Sequence, residues 1–211
     1  DPARAVRTAI ATGSLPAVAT VDQVMHNSDE ASRDTSGPWL LAPCDLQVVK
    51  ASGVTFVASL LERAIEDQAR GDAAKASDIR KALGGILGDN LADIVPGSAD
   101  AQRVKQVLLA QGVWSQYLEV GIGPDAEVFT KAPVLSAVGS GADVGILAQS
   151  AWNNPEPEIV LAVNPRGQVV GATLGNDVNL RDIEGRSALL LGKAKDNNAS
   201  CAVGPWIRLF D

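Results

Sequence analysis

The chain has 211 residues, 46% of them hydrophobic, with a formal net charge of −7 and a pI near 4.7. That length supports one sizeable domain or a small domain beside a larger one, and no apolar run approaches the ~20 residues of a membrane span. The acidic balance argues against a nucleic-acid surface, and two cysteines far apart in sequence, Cys44 and Cys201, give neither a disulfide framework nor a zinc pattern. The expectation is a globular cytoplasmic protein with reduced thiols and no signal peptide.

Residues 1–10 are rich in Ala and Arg with helical spacing, Ala5, Val6 and Ile10 sharing a face, and the stretch from Gly13 to Pro16 breaks it. Residues 25–30 are polar and read as a loop. They include His26, the only histidine, so no imidazole pair is available for a metal. A short strand is expected over 46–50. Residues 53–87 form the clearest helical region: Val57, Leu60, Leu61, Ala64 and Ile65 make an apolar stripe, with Glu62, Arg63, Glu66 and Asp67 largely outside it. Gly71-Asp72 interrupts that stripe, a second helix runs over 73–83, and a third over 99–111. Residues 117–120 open a strand-rich half, and 127–133 read as a strand ending at Pro133. Residues 139–143 form a turn, 179–187 a loop, and 188–191 an apolar run. The chain begins at Asp1 and stops within what reads as a strand over 207–211, which gives the expectation of a fragment of a longer polypeptide.

The chemistry concentrates between Trp152 and Pro205. Glu156 and Glu158 are two residues apart ahead of the apolar run 159–163, so on a strand both carboxylates project to one side. Asn164-Pro165-Arg166-Gly167 is turn chemistry. With Pro165 and Arg166 as a two-residue hairpin loop, Glu158 lies opposite Thr173 and Glu156 opposite Gly175. Asp177 then sits two residues further, about 6–7 Å along the strand, within reach after a twist or bulge. Three converging acids need a counter-charge, and a hard divalent cation, most simply magnesium, meets that need. The same residues also read as a solvated strand entry and a turn aspartate.

Gly192-Lys193 hints at a phosphate loop. That motif requires a glycine at position 187 and Ser or Thr after the lysine, where this chain has Ser187 and Ala194, and no helix is expected to follow. Nucleotide binding is therefore rejected.

Four patterns stand in a specific order and spacing: Glu156-x-Glu158; Gly175-Asn176-Asp177-Val178-Asn179-Leu180-Arg181-Asp182; Gly192-Lys193-x-x-Asp196; and Gly204-Pro205-Trp206. Together they resemble the fumarylacetoacetate hydrolase superfamily over roughly residues 117–211. The resemblance implies an α+β fold, a mixed β-roll of that type with an N-terminal helical segment, incomplete at its C-terminus. It implies an N-terminal region over 1–115 with a lid-like helix and the first part of the catalytic roll over 116–211. It makes Glu156, Glu158 and Asp177 ligands of magnesium, with manganese or calcium as alternatives. It places Lys193 near metal and substrate, Lys131 on the strand 127–133, and Glu184 where a glutamine usually follows Arg-Asp-Ile. Upstream, Gly53 to Glu62 has the spacing of a lid motif in which Ser59 replaces a histidine and Glu62 keeps the glutamate.

Loss of that histidine removes the water-activating imidazole of the hydrolases and favours a lyase. The segments 127–145 and 176–187 look most like the branch of sugar-acid dehydratases that act on 2-keto-3-deoxypentonates. The implied reaction is loss of water to give 2,5-dioxopentanoate in sugar-acid catabolism. Glu62, Lys131 and Lys193 are the implied catalytic residues, and Ser59, Arg181 and Glu184 the implied substrate contacts. The implied partners are a small 2-oxo sugar acid and further copies of the chain in a homodimer or higher homo-oligomer, with neither nucleic acid nor membrane. An acylpyruvate-type hydrolase, an oxaloacetate decarboxylase and a non-catalytic binding module are the competing readings.

Overall fold

The computed structural model describes residues 2–13, 16–44, 46–53, 65, 74, 77–81, 94–110 and 112–210. Most of the helical region expected over 53–87, including Ser59 and Glu62, lies outside the described residues; within it Ile65 and residues 77–81 are helical. The chain divides into two compact units, one of residues 1–50 with 130–211 and one of residues 51–129. The division expected at 115/116 falls inside the second unit.

Helix α1 covers Pro2–Thr12, as its spacing predicts. Helix α2 covers Val21–Asn27 and so takes in part of the loop expected over 25–30. A capping box accounts for the difference: the Gln23 amide donates to Thr20 Oγ1 and the Thr20 amide donates to Gln23 Oε1. His26 is exposed on this helix. Strand β1, Val49–Ser52, pairs with β2, Val128–Ala132, and Lys50 Nζ donates to Thr130 Oγ1 at 2.8 Å.

In the second unit, α3 (Ala99–Ala110) and α4 (Gln116–Ile122) bury Ala101, Leu108, Leu118 and Ile122 against Ile65. The strand expected over 117–120 is thus a helix. Ser115 caps it by accepting from the Leu118 amide, and Leu118 and Ile122, four apart, share its buried face.

The first unit is built on an antiparallel sheet of order β4-β5-β7: Pro157–Val163, Val169–Asp177 and Cys201–Leu209. The hairpin register differs from the two-residue-loop expectation. The Asn164 amide donates to the Gln168 carbonyl and the Gly167 amide to the Asn164 carbonyl, which leaves a three-residue loop with Gly167 at φ +75. A second irregularity falls between Ala162 and Val163. The two together shift the register by two residues, so Glu158 faces Gly175 rather than Thr173.

One face of the sheet carries Glu158 and Val160; Val160 packs on a core of Ala42, Ala132, Cys201 and Val203. The other face exposes Ile159, Leu161, Val163 and Leu174. The loop expected over 179–187 contains two ordered elements. They are β6 (Asn179–Leu180), paired with β3 (Asn153–Asn154), and the short helix α5 (Arg181–Glu184). Helix α6 (Leu191–Lys195) follows, where no helix was expected. Leu180, Ile183 and Ala194 make the small core that holds these pieces together, with Leu147 and Leu190 against it. The mixture of helices and antiparallel strands is the α+β content read from the sequence.

Candidate functional site

The shifted register builds the site. The Asp177 amide donates to the Glu156 carbonyl at 2.9 Å, so the last residue of β5 stands across from the residue that precedes β4. Asn176 secures the same junction by accepting from the Glu156 amide at 3.1 Å. Glu156, Glu158 and Asp177 therefore share one side of the hairpin by backbone geometry alone.

Two lysines meet these acids. Lys195, 3% exposed on α6, reaches Glu156 Oε2 in a short contact and Asp177 Oδ2 at 3.0 Å. Lys131, 1% exposed on β2, stands 3.1 Å from Asp177 Oδ1. Its ammonium also donates to the carbonyls of Val178 (2.7 Å) and Lys195 (2.5 Å) and to Ser200 Oγ at 3.4 Å. Protein acceptors therefore take up all three of its hydrogens.

The two environments push these lysines apart. Burial lowers the Lys131 ammonium below its ordinary value, and the opposing charge of Asp177 does not fully restore it. Burial acts on Lys195 in the same direction, but Asp177 and a hydrogen-bonded Glu156 overcome it and raise the group. Glu158 is held above the usual carboxylate range by partial desolvation first, then by repulsion from Asp177 and Glu156, although much of its side chain still meets solvent.

A second layer ties the acids to α5. Asn179, fully buried, donates through Nδ2 to Glu156 Oε1 at 3.0 Å and to Glu184 Oε2 at 2.5 Å. Asp182 anchors α5 by accepting from Ser150 Oγ (2.8 Å) and the Ala151 amide (3.0 Å). The Arg181 guanidinium lies 5.4 Å over the Trp152 ring.

Of the residues singled out from sequence, Glu156, Glu158, Asp177 and Lys131 thus gather at one place, with Glu184 joined through Asn179. Lys193 does not: it is exposed, and its carbonyl accepts from Asn197 Nδ2. The inward lysine is Lys195, two residues on. On α6, Ala194 and Lys195 turn inward and Lys193 outward. The resemblance assigned Lys193 by its place in the pattern Gly192-Lys193-x-x-Asp196, and no helix was expected there. Asn179 and Ser200 were also passed over; as uncharged residues they carry no sequence signal for this role.

Three carboxylates against two ammonium groups leave an excess of negative charge. Asp177 Oδ1 is buried without a well-formed hydrogen bond, and Glu158 is raised by its acidic neighbours. This all-oxygen donor set suits a hard divalent cation in its chemistry. As arranged, the cation that Glu156 and Asp177 share is the Lys195 ammonium, and among the described residues no group of three His, Cys, Asp or Glu is set to enclose a metal.

No protein-family model matches the sequence. A curated protein of Haloferax volcanii, named "Probable 2-keto-3-deoxyxylonate dehydratase", is 40% identical over 91 residues, covering 43% of this chain and 31% of that protein. The 2-dehydro-3-deoxy-D-arabinonate dehydratase of Saccharolobus solfataricus is 36% identical over 85 residues, 40% of this chain and 28% of that protein. The chain therefore matches less than a third of the length of these relatives. A solved structure, 2-keto-3-deoxy-D-arabinonate dehydratase complexed with magnesium and 2,5-dioxopentanoate, is 33% identical, covers 45% of this chain and 34% of that one, and has a TM-score of 0.44. The resemblance to 2-keto-3-deoxypentonate dehydratases drawn from the sequence motifs is borne out by the two curated relatives.

Proposed function

We propose that this chain is part of a metal-dependent hydro-lyase that removes water from a 2-keto-3-deoxypentonate to give 2,5-dioxopentanoate. The observation that carries the reading is the pairing of Glu156 and Asp177 through Lys195, with Glu158 on the same side of the hairpin, in a chain that resembles two curated sugar-acid dehydratases. Glu156, Glu158 and Asp177 would hold magnesium, with manganese or calcium as alternatives. When bound, the ion would act as a Lewis acid beside the 2-oxo group.

The chain's own residues divide the remaining work. Lys195 donates to both Glu156 and Asp177, so it stands beside the proposed metal position as a donor to developing negative charge. Lys131, with its hydrogens occupied, fixes Asp177 and the turns at Val178 and Ser200, which is a positioning part. Lys195 takes the part that the resemblance gave to Lys193. Arg181 contacts the substrate, and Glu184 accepts from a substrate hydroxyl; Ser59 is a substrate contact by the sequence resemblance. Glu62 takes a proton from carbon 3 and delivers it to the hydroxyl leaving carbon 4. The substrate thus loses one water, and the product tautomerises to the aldehyde. The roles of Glu62 and Ser59 rest on the sequence resemblance alone.

The whole protein is a longer β-roll enzyme that works as a homodimer or higher homo-oligomer. The test of the function compares wild type with E156Q on 2-keto-3-deoxypentonate. Product from wild type alone supports the reading; equal product from both places the reaction elsewhere.

A further inference from the structure

We infer that Asn179 is a positioning residue: one buried amide nitrogen sets the orientation of Glu156 and couples it to Glu184. The inference rests on the metal reading above and adds a residue to it. Glu156 has a separate partner for each carboxylate oxygen, Asn179 Nδ2 on Oε1 and Lys195 Nζ on Oε2. Its backbone is held as well, the amide by Asn176 and the carbonyl by Asp177. The side chain is thus pinned from two sides, and the uncharged side is Asn179.

An amide nitrogen carries two hydrogens, and here one goes to Glu156 and the other to Glu184. The orientation is fixed by charge: turned over, Oδ1 would face two carboxylates. A hydroxyl can serve only one of them, and a carboxylate would repel both. Strand pairing sets the position, since β6 places Asn179 opposite Asn154, directly before the helix that bears Glu184. Asn179 Oδ1 is buried and has no hydrogen-bond partner among the described residues. A buried acceptor without a partner is costly, and the two charge-assisted bonds made by the nitrogen offset that cost. The position keeps an amide for its nitrogen.

The experiment titrates manganese(II), read by electron paramagnetic resonance, into the full, metal-stripped chain as wild type, N179A and N179S. Thermal melting of each metal-free protein is measured in parallel. The expected result is a roughly 10- to 100-fold weaker manganese affinity for N179A, the scale typical of lost outer-layer partners, with N179S between it and wild type. A melting transition kept in N179S beside that loss separates positioning from a merely structural role. Where N179A does not fold, N179S alone decides. A folded N179A or N179S that binds manganese like wild type overturns the inference. A wild type that binds no manganese overturns the metal reading itself, a different result from the same titration.

Discussion

Asp177 stands directly across the hairpin from Glu156, its amide donating to the Glu156 carbonyl at 2.9 Å. A two-residue loop would have put Gly175 there. One extra loop residue and one irregularity at Ala162/Val163 move the aspartate into place, so the acidic cluster depends on turn geometry as much as on its acids.

The inward lysine gives the sharpest contrast. K195M should cut kcat by roughly 10²-fold or more, the scale of a lost proton donor. It also leaves Asp177 with a single lysine and should cost about 3 kcal/mol of stability, as breaking a buried pair does. K193M, on the exposed side of the same helix, should keep near wild-type kcat and melting temperature. Steady-state kinetics and thermal melts of both variants check this, and equal losses would put Lys193 back into the site.

Gly145 should be intolerant of a side chain. Its amide donates to the Ala199 carbonyl at 2.9 Å, and an added Cβ would run into the Asn198 carbonyl oxygen. G145A should therefore destabilise by about 1–3 kcal/mol, as overpacking does. It should also disturb the turn that supplies Ser200 to Lys131. Urea denaturation measures the first effect.

Sequence reading reached the acids and the hairpin because both follow local rules: alternation along a strand and turn chemistry around Gly167. It erred wherever a short element depends on caps or tertiary packing. Residues 117–120 look β-prone, yet the Ser115 cap and the buried pair Leu118/Ile122 make them helical. The 179–187 stretch looks like a loop, yet β6 pairs with Asn153-Asn154 some 26 positions earlier. Lys195 was missed for the same reason, because five residues are too few to show a helical period. Asn179 was illegible because its role lies in two contacts made only after folding.

The anchor of α5 should be acid-sensitive. Hydrogen bonds from the Ala151 amide and then Ser150 hold the Asp182 carboxyl below its usual value of 3.8. A depressed carboxylate contributes stability that is present above the unfolded value and lost as pH falls through the folded one. Stability should therefore decline below pH 3.8, and D182N should flatten that part of the curve. Acid titration followed by circular dichroism reads both.

The two thiols should differ in reactivity. Burial first, then nearby Asp177 and Cys44, pushes the Cys201 thiol up to about 11, whereas Cys44 is only half-buried. Iodoacetamide at pH 8 should modify Cys44 in the folded protein and reach Cys201 only after denaturation. Peptide mass mapping distinguishes them.

The most direct test of the central claim strips metal from the full-length protein, adds 2-keto-3-deoxypentonate, and follows 2,5-dioxopentanoate with and without magnesium. Product that appears only on adding magnesium is the expected result. Product at the same rate without metal, or none in its presence, contradicts the account.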